Sequence, residues 1–327
     1  MAEIQEMNMI QALNQALHLY FQKHDQAVML GEDVGHFGGV FRVSDGLQEK
    51  YGESRVIDSP LNEGGIVGVA LGMALGGLRP IAEIQFADFS YPAFDQIINE
   101  VAKYRYRSGG QYHLPMVIRM PYGGGIRGGH YHSQSPESLY CHIPGLRVVI
   151  PSGPYEAKGL LLASLESEDP VIFLEPKRVY RSLKASVPLD YYTLPLQNSR
   201  IVEEGEDLTL VAYGAQLQEA KEAVLFARSK GYLIELIDLM SLLPYDIETL
   251  CHSVQKTGRL MVVHEAPRTC GYAAELMAEI QEKVFDYLHA PMARVTGFDT
   301  PYPYILENHY QPTVERIWET MNKTLLY

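Results

Sequence analysis

The sequence predicts an α/β protein made of two units, each built on a parallel sheet, and two observations support this fold class. Short, near-continuous apolar runs alternate with helix-patterned segments along most of the 327 residues. Strands of this composition are buried on both faces, as in a parallel sheet covered by helices. The alternation weakens once, between residues 182 and 207, and a chain of this length commonly forms two domains.

The first unit is predicted to contain five strands. They lie at 28–33, at 79–89, at 114–122, at the beginning of 146–165 and at 170–177. Within 146–165 the strand is followed by a turn and a helix. Ser152 or Gly153 can cap that helix, and Pro154 takes its first position, where the missing N–H costs nothing.

The second unit is predicted to contain about four strands separated by helices. These strands lie at 207–214, 232–240, 259–267 and 292–298. Between the two units, Pro188, Pro195 and a group of acidic residues indicate a linker. We therefore predict one domain over residues 1–185, a linker over 186–206 and a second domain over 207–327.

Charge and cysteine content narrow the class of protein. The net charge of −13 and the pI near 5.3 argue against nucleic acid or an anionic membrane as main partner, because both attract positive charge. The three scattered cysteines form no CxxC motif, which indicates reduced thiols. The N-terminus lacks an arginine-rich transit pattern, and no apolar run approaches the ~18 residues of a membrane helix. We expect a cytoplasmic protein.

Four glycines at a spacing of four residues form a ladder at 64, 68, 72 and 76. On a helix they line one face with bare backbone, although each costs about 1 kcal/mol of helix propensity against alanine. Two explanations stay open: an internal helix packed against a neighbour, or a subunit interface. The spacing does not match a dinucleotide fingerprint. Glu63 begins this helix. The helix dipole favours a negative charge at this position, and an acid there can also serve catalysis.

The loop RGGHYHSQSPES, residues 127–138, places His130 and His132 two residues apart. Such a pair binds zinc only if a third ligand is available, and His142 is one candidate. The surrounding Ser, Gln and Pro residues do not form a hydrolase zinc motif. We therefore predict no metal site on these histidines and consider a catalytic or a packing role instead.

Three segments together carry a family resemblance: SPLNEGGIVG (59–68), AEIQFADFSYPAFDQIINEVAKYRYRSGG (82–110) and GGGIRGGHYHSQSPE (123–137). They resemble the β subunits of the thiamine-diphosphate-dependent 2-oxoacid dehydrogenases, and most closely the branched-chain, or 2-oxoisovalerate, members. The resemblance continues through FLEPKRVYRS, KTGRLMVVHEAP and RVTGFDTPYPY and so covers nearly the whole chain. It implies a transketolase-like fold, with a pyrimidine-binding α/β domain followed by a C-terminal α/β domain.

The resemblance also implies partners and a shared cofactor site. The family forms α2β2 heterotetramers that hold thiamine diphosphate between an α and a β chain and pass an acyl group to lipoyllysine of a core acyltransferase. Chains that bind the diphosphate through magnesium carry a GDG segment and a later Asn, and this sequence has no GDG. We therefore expect the pyrimidine half of the cofactor site here and Mg2+ mainly on the α partner.

Residue roles follow from the matched positions. Glu63 matches the acid that shares a proton with the aminopyrimidine ring, and Leu61 and Gln85 match residues that contact that ring. Phe89 matches an aromatic residue that packs against it, where branched-chain relatives tend to have tyrosine. For Gln85 and Phe89, packing at the end of a strand is the alternative.

Further positions match with different strength. His132 matches the histidine that assists acylation of the lipoyl group, while His130 is expected to be loop structure, with Ser133 and Gln134 holding the loop. A potassium site is possible at 165–169. The pair at 264–265 is expected at subunit packing or near the acyltransferase-binding surface. Two alternatives stay open for function: a pyruvate or acetoin dehydrogenase β subunit, and a non-catalytic bridging subunit.

Overall fold

Near-continuous apolar strands form the sheet of the first unit, as the sequence predicts. The computed structural model describes residues 3–327 and divides them into this unit, which holds the residues up to 122 and 139–196, and a second unit of 123–138 and 197–327. The strands of the first unit are β1 (Ile4–Met7), β2 (Ala27–Gly31), β3 (Val56–Asp58), β4 (Arg79–Glu83), β5 (Val117–Tyr122), β6 (Arg147–Val149), β7 (Val171–Pro176) and β8 (Ala185–Pro188).

Within the first unit the parallel strands lie in the order β6-β7-β5-β4-β2-β3. Every residue of β2, β5 and β7 is buried, because helices cover both faces of the sheet. Strands β1 and β8 form a separate antiparallel pair. The carboxyl ends of the parallel strands therefore meet at one edge, where sites in α/β folds usually lie.

The α-helices that begin in this half of the chain are α1 (Met9–Lys23), α2 (Leu47–Tyr51), α3 (Glu63–Leu75), α4 (Tyr104–Arg107), α5 (Glu137–Cys141) and α6 (Pro154–Glu166). Two 3-10 helices span Ala87–Ala93 and Lys177–Val179, and a π-helix spans Gln96–Val101. Gly153 precedes α6 and Pro154 opens it, which confirms the predicted start of this helix. A capping box of Asn8 and Gln11 begins α1.

The strand predicted over 79–89 is shorter than expected, since β4 ends at Glu83 and residues 87–93 are a 3-10 helix. The prediction was wrong beyond Glu83 for two local reasons. Pro92 lacks the N–H that a strand would use, and the Ser90 hydroxyl donates to the carbonyl of Ala87, which favours a turn.

The second unit contains β9 (Arg200–Glu203), β10 (Leu208–Ala212), β11 (Ile234–Asp238), β12 (Ser241–Leu243), β13 (Leu260–Val263) and β14 (Ala293–Val295). Its sheet has the order β14-β13-β10-β11-β9. The four predicted strands are its parallel members. The sequence missed β9, an antiparallel edge strand whose residues are only partly buried and so lack a continuous apolar run.

The helices of the second unit are α7 (Gln216–Ser229), α8 (Ile247–Thr257), α9 (Ala273–Val284), α10 (Glu307–Tyr310) and α11 (Val314–Leu325), with 3-10 turns at Gly129–Tyr131 and Phe285–Tyr287. Apolar residues of α7 and α11 form one core with the sheet. Both units are α/β with parallel strands, so the predicted fold class is confirmed. Among residues 3–327 no helix is long and apolar enough to cross a membrane.

Candidate functional site

Glu63 is the first residue of α3, and the local sequence explains why the helix begins there. The side chain of Asn62 accepts the N–H of Gly65 at 2.9 Å and so caps the helix. Glu63 is 9% exposed, so its carboxylate is largely withdrawn from water. The structure therefore presents one buried acid at a helix N-terminus, where the dipole favours negative charge.

Two further acids lie near Glu63, directly after the end of β2. Burial raises the pKa of Glu32, and the negative charges of Glu63 and Asp33 raise it further. Asp33 has left-handed backbone, and its Oδ2 accepts the amide of Gln85 at 3.3 Å. The structure thus brings Gln85 to this acid cluster. Our sequence reasoning did not single out Glu32 and Asp33, although their position after a buried strand is a usable signal.

Leu61 and Phe89 occupy different surroundings in the same region. Leu61 is 78% exposed, which leaves its apolar side chain open beside the start of α3. Phe89 is half-buried, in the 3-10 helix that packs against α3, and its ring meets that of Phe86 at 5.4 Å. These residues offer apolar and aromatic surface together with an amide and a carboxyl group that can form hydrogen bonds. Such a combination suits the binding of a planar heteroaromatic ring.

A buried ionic network supports the strand ends beneath this site. The guanidinium of Arg119 makes two hydrogen bonds to Glu175, at 2.7 and 2.9 Å, and one to Glu83 at 2.6 Å. Tyr180 donates to the same Glu175 carboxylate. Burial disfavours the charge of Arg119, but Glu175 and Glu83 outweigh this effect and raise its pKa. Burial raises the pKa of Glu83 although Arg119 opposes it. The network fixes three neighbouring strands.

The glycine ladder of α3 is only partly packed within the chain. The opposite side of the helix is buried through Ile66, Val67, Ala70 and Ala74. Gly64 lies near the carbonyl of Pro92, but among residues 3–327 nothing comes within 4 Å of a Cβ built on Gly68 or Gly72. At these two positions the helix is not packed against any described part of the chain, and the interface explanation stays a prediction.

The histidine loop belongs to the second unit and is held in part by hydrogen bonds within the loop. His132 is half-buried, and its Nδ1 lies 3.3 Å from the carbonyl oxygen of Gly128. His130 is exposed, with its ring against Tyr131. Gln134 donates its amide to the carbonyl of His130 at 2.7 Å and accepts the N–H of Gly123 on its own carbonyl at 3.0 Å. Gln134 therefore holds the loop, as expected.

Ser133 and the pair at 264–265 are buried residues of the second unit. The hydroxyl of Ser133 is buried without a hydrogen-bond partner in the described part of the chain, so any hold on the loop comes from packing. His264 and Glu265 are buried inside the second unit rather than at its surface. Burial lowers the pKa of His264 to about 3, which keeps the imidazole neutral. They directly follow β13, and their expected place at subunit packing or near the acyltransferase-binding surface stays a prediction.

Glu137 is a buried acid that sequence reasoning missed. Its Oε1 accepts the hydroxyl of Tyr213 at 2.9 Å, within the second unit. Burial raises the pKa of this carboxyl to about 7, and the nearby charge of Glu265 adds to the effect. The signal in the sequence was weak, because an acid at the first position of α5 is also ordinary helix-dipole chemistry.

The sequence offers two candidate cation sites, one at the histidine loop and one at 165–169. Residues 3–327 contain no group of three or more His, Cys, Asp or Glu side chains placed to hold a metal ion. At the potassium candidate, 165–169, the carbonyls of Leu165 and Ser167 already accept hydrogen bonds from Arg79, each at 3.2 Å. Arg79 also pairs with Glu168 at 3.0 Å. A potassium ion would compete with this guanidinium, and its binding stays a prediction.

Comparisons with known proteins give a consistent result. The family model described as "Transketolase, pyrimidine binding domain" matches residues 5–182, and "Transketolase, C-terminal domain" matches residues 197–317. The chain is 55% identical to "2-oxoisovalerate dehydrogenase subunit beta, mitochondrial" of Dictyostelium discoideum, over 99% of this chain and 88% of the relative. It is 48% identical to "Pyruvate dehydrogenase E1 component subunit beta" of Acholeplasma laidlawii, over 95% of each.

A solved structure supports the same fold. The chain matches "Split gene transketolase, inactive beta4 tetramer" with a TM-score of 0.80 and 24% identity, over 98% of each chain. At this identity the likeness bears on the fold alone, and it confirms the transketolase-like architecture.

Proposed function

Since the chain belongs to the β subunits of the thiamine-diphosphate-dependent 2-oxoacid dehydrogenases, an oxidoreductase family, we propose that it serves the branched-chain enzyme. In this proposal it acts with an α subunit on 2-oxoisovalerate-type acids and transfers the acyl group to lipoyllysine of a core acyltransferase. The observation that carries the proposal is the buried Glu63 at the start of α3, beside Gln85 and the acids after β2.

The cofactor of the family is thiamine diphosphate, and the residues of the first unit fit its pyrimidine half. Leu61 and Phe89 offer apolar and aromatic surface, Gln85 offers an amide, and Glu63 offers a largely buried carboxyl. When bound, the cofactor supplies the nucleophilic carbon and the electron sink on which a 2-oxoacid loses CO2. The diphosphate and its Mg2+ would rest mainly on the α partner.

Glu63 is assigned the exchange of a proton with the pyrimidine ring. An acid held out of water, on a capped helix start, keeps its carboxyl in one place and can share a proton with a ring nitrogen. Burial and the negative charges of Glu63 and Asp33 raise the pKa of the neighbouring Glu32, so protonation of the Glu32 carboxyl is favoured beside Glu63. Leu61 would exclude water from the bound ring.

His132 is assigned to the transfer step. Its Nδ1 faces the carbonyl of Gly128, so a proton on Nδ1 makes Nε2 the acceptor nitrogen of the neutral ring. An imidazole of this kind can orient the dithiolane of a lipoyl group or protonate its leaving sulfur. His130, exposed and with its ring tilted against that of Tyr131, has no assigned chemistry.

The α partner is proposed to cover the open face of α3. Gly68 and Gly72 leave bare backbone at which another helix can approach closely. The resulting contact would bring the α half of the cofactor site to Glu63. We propose the α2β2 assembly of the family on this basis.

The preference for a branched 2-oxoacid is the finer part of the proposal. Its support is the 55% identity to a relative named for 2-oxoisovalerate, against 48% for one named for pyruvate. The volume of the pocket determines which substrate size fits. One methylene group changes the free energy of transition-state binding by only about 1–3 kcal/mol. A pyruvate or acetoin substrate therefore stays the alternative, and part of the pocket lies on the α chain.

One assay series tests these assignments. The purified chain, its α partner, Mg–thiamine diphosphate and a dye acceptor are mixed with 2-oxoisovalerate or pyruvate, and kcat/KM is compared. A higher kcat/KM for pyruvate would overturn the branched-chain assignment. Full turnover without the α partner would overturn the shared site, and no turnover with either substrate would favour a bridging subunit.

The cysteines bear on the compartment in which the protein works. Among residues 3–327 the three cysteines form no disulfide, which suits a reducing compartment. The cytoplasm and the mitochondrial matrix both qualify, and the Dictyostelium relative is named mitochondrial. We propose the cytoplasm, and fractionation of the source cell with antibodies against this chain tests it.

A further inference from the structure

The carboxylate of Glu307 is bound by the glycine-rich loop that precedes His132. Its Oε1 accepts the backbone N–H of Gly125 and its Oε2 that of Arg127, both at 3.0 Å. Glu307 is 5% exposed, and these partners are 182 and 180 residues away in the sequence. The contact is therefore tertiary, and both carboxylate oxygens are used on the loop backbone.

The loop has the backbone shape that such a contact requires. Gly125 has a φ of 106° and Arg127 a φ of 53°, both in the left-handed range. That conformation is unfavourable for arginine, so something outside the loop must stabilise it. Successive backbone amides that point inward, in a segment that alternates between right- and left-handed conformations, form a concave anion site. Here the anion is the protein's own carboxylate. Hydrogen bonds to a charged acceptor are stronger than neutral ones.

We propose that Glu307 is a positioning residue for acyl transfer: by binding the amides of Gly125 and Arg127, it fixes the loop that presents His132. This inference rests on the role proposed above for His132. The chain runs from Arg127 through one 3-10 turn, Gly129–Tyr131, directly to His132. A shift at Arg127 therefore reaches the imidazole through only four residues.

Other contacts hold different parts of the same loop, so the effect of Glu307 is local. Glu265 lies against Gly123, while Tyr302 and Gln311 lie against Gly124, so closely that a Cβ on either glycine would collide. The ring of Tyr304 fills the corresponding space at Gly129. Removing the Glu307 carboxylate leaves these contacts in place and frees only the middle of the loop.

Hydrogen exchange in the assembled α2β2 enzyme tests the contact directly. Wild type is compared with Glu307→Gln, Glu307→Asp and the matched control Glu319→Gln, an exposed acid of α11. In wild type the amides of Gly125 and Arg127 are expected to be protected. In Glu307→Gln they should exchange about 10- to 100-fold faster, because the charged acceptor is lost.

Activity assays distinguish a positioning role of Glu307 from a general loss of structure. Glu307→Gln should slow acylation of a free lipoyl domain about 10-fold or more, while dye-linked decarboxylation changes less than about 3-fold. Glu307→Asp keeps a carboxylate and should recover part of the transfer rate. Glu319→Gln should leave both rates and the exchange pattern unchanged.

Several results would overturn the proposal. The proposal fails if the amides of residues 125 and 127 in the wild-type enzyme exchange as fast as those of an open loop. This measurement needs no variant, so it holds even if Glu307→Gln does not assemble. Equal losses of decarboxylation and transfer in Glu307→Gln would also overturn the proposal. If His132→Ala blocks transfer but Glu307→Gln does not, the positioning role alone fails. If His132→Ala transfers normally, the function proposed for His132 fails first.

Discussion

Glu63 and His132 are held in place by opposite means. Glu63 is the first residue of a helix that Asn62 caps, beside the carboxyl edge of the sheet. The buried ion pair of Arg119 and Glu175 joins neighbouring strands of that sheet. His132 follows a loop with left-handed residues that are fixed by side chains far away in the sequence, among them Glu307. The first site is determined by regular local structure, whereas the second depends on tertiary contacts.

This difference suits the two chemical tasks. A proton shared with a cofactor ring needs a fixed acid, and a helix start on a rigid sheet is a precise platform. A histidine that meets an incoming lipoyl group sits on a loop, where function commonly lies and where segments of low local stability can adjust. The predictions below separate the platform from the loop.

The largest effect is expected at Glu63. Glu63→Gln keeps the shape of the side chain but removes the exchangeable proton, so decarboxylation with a dye acceptor should fall about 10²- to 10⁴-fold. Glu53→Gln, an exposed acid of the same unit, is the control and should retain wild-type rates. Cofactor binding measured by fluorescence quenching should weaken far less than the rate. A Glu63→Gln enzyme with normal turnover would exclude the assigned role.

The second effect concerns the platform. Arg119→Met removes the cation between two buried carboxylates and should lower the free energy of unfolding by about 3–5 kcal/mol, because Glu83 and Glu175 lose their partner. Arg107→Met breaks an exposed ion pair with Glu100 and should lower the free energy of unfolding far less, because water screens both charges. Urea unfolding of both variants measures the difference. Equal small losses would show that the buried network does not support the fold.

The third prediction addresses the loop. His132→Ala should slow acyl transfer to a lipoyl domain about 100-fold and leave dye-linked decarboxylation nearly intact, since the first step does not use this imidazole. His130→Ala, two residues away and exposed, is the matched control. Loss of both activities in His132→Ala would place the histidine in the first step instead.

The sequence predicted the platform better than the loop. The parallel strands, the start of α6 at Pro154 and the helix that begins at Glu63 follow from composition, capping and spacing within a few residues. The role of Glu307 could not be predicted, because its partners are 180 or more residues away and are backbone amides, which carry no residue signature. The strand over 79–89 was overextended because apolar residues continue into the 3-10 helix.

Partly exposed and antiparallel elements were also harder to predict. Strand β9 lacks a continuous apolar run because one side of an edge strand faces water, so no pattern marks it. Glu32 and Asp33 were missed for another reason: acids after a strand are common, and only the three-dimensional proximity of Glu63 gives them meaning.

A fourth prediction uses the pH dependence of the second unit. Burial raises the pKa of Glu137 to about 7 from an ordinary value of 4.5, so the folded chain binds more protons than the unfolded chain between these values. The contribution of this group to stability is therefore present below pH 4.5 and is lost as pH rises through 7. Glu137→Gln removes that loss and should be relatively more stable at pH 8 than at pH 5, by about 1–3 kcal/mol.

Urea unfolding at pH 5 and pH 8 measures this pH effect. The comparison with wild type at each pH cancels the contribution of His264 and other groups. The amide can still accept the hydroxyl of Tyr213, so the packing is largely kept. A stability difference between variant and wild type that does not change with pH would place the carboxyl in water in the folded chain.

The smallest effect on the isolated chain, but a clear one on assembly, is expected at the glycine ladder. A Cβ on Gly72 meets nothing in the chain, so Gly72→Ala should stabilise α3 by up to about 1 kcal/mol through helix propensity. The same methyl group should weaken association with the α partner, because it lies where a partner helix would approach. Weaker association would then affect the role of Glu63, which depends on this face of α3, but not that of His132. Thermal unfolding of the chain and sedimentation of the α–β mixture measure the two effects, and unchanged association would remove this face from the interface.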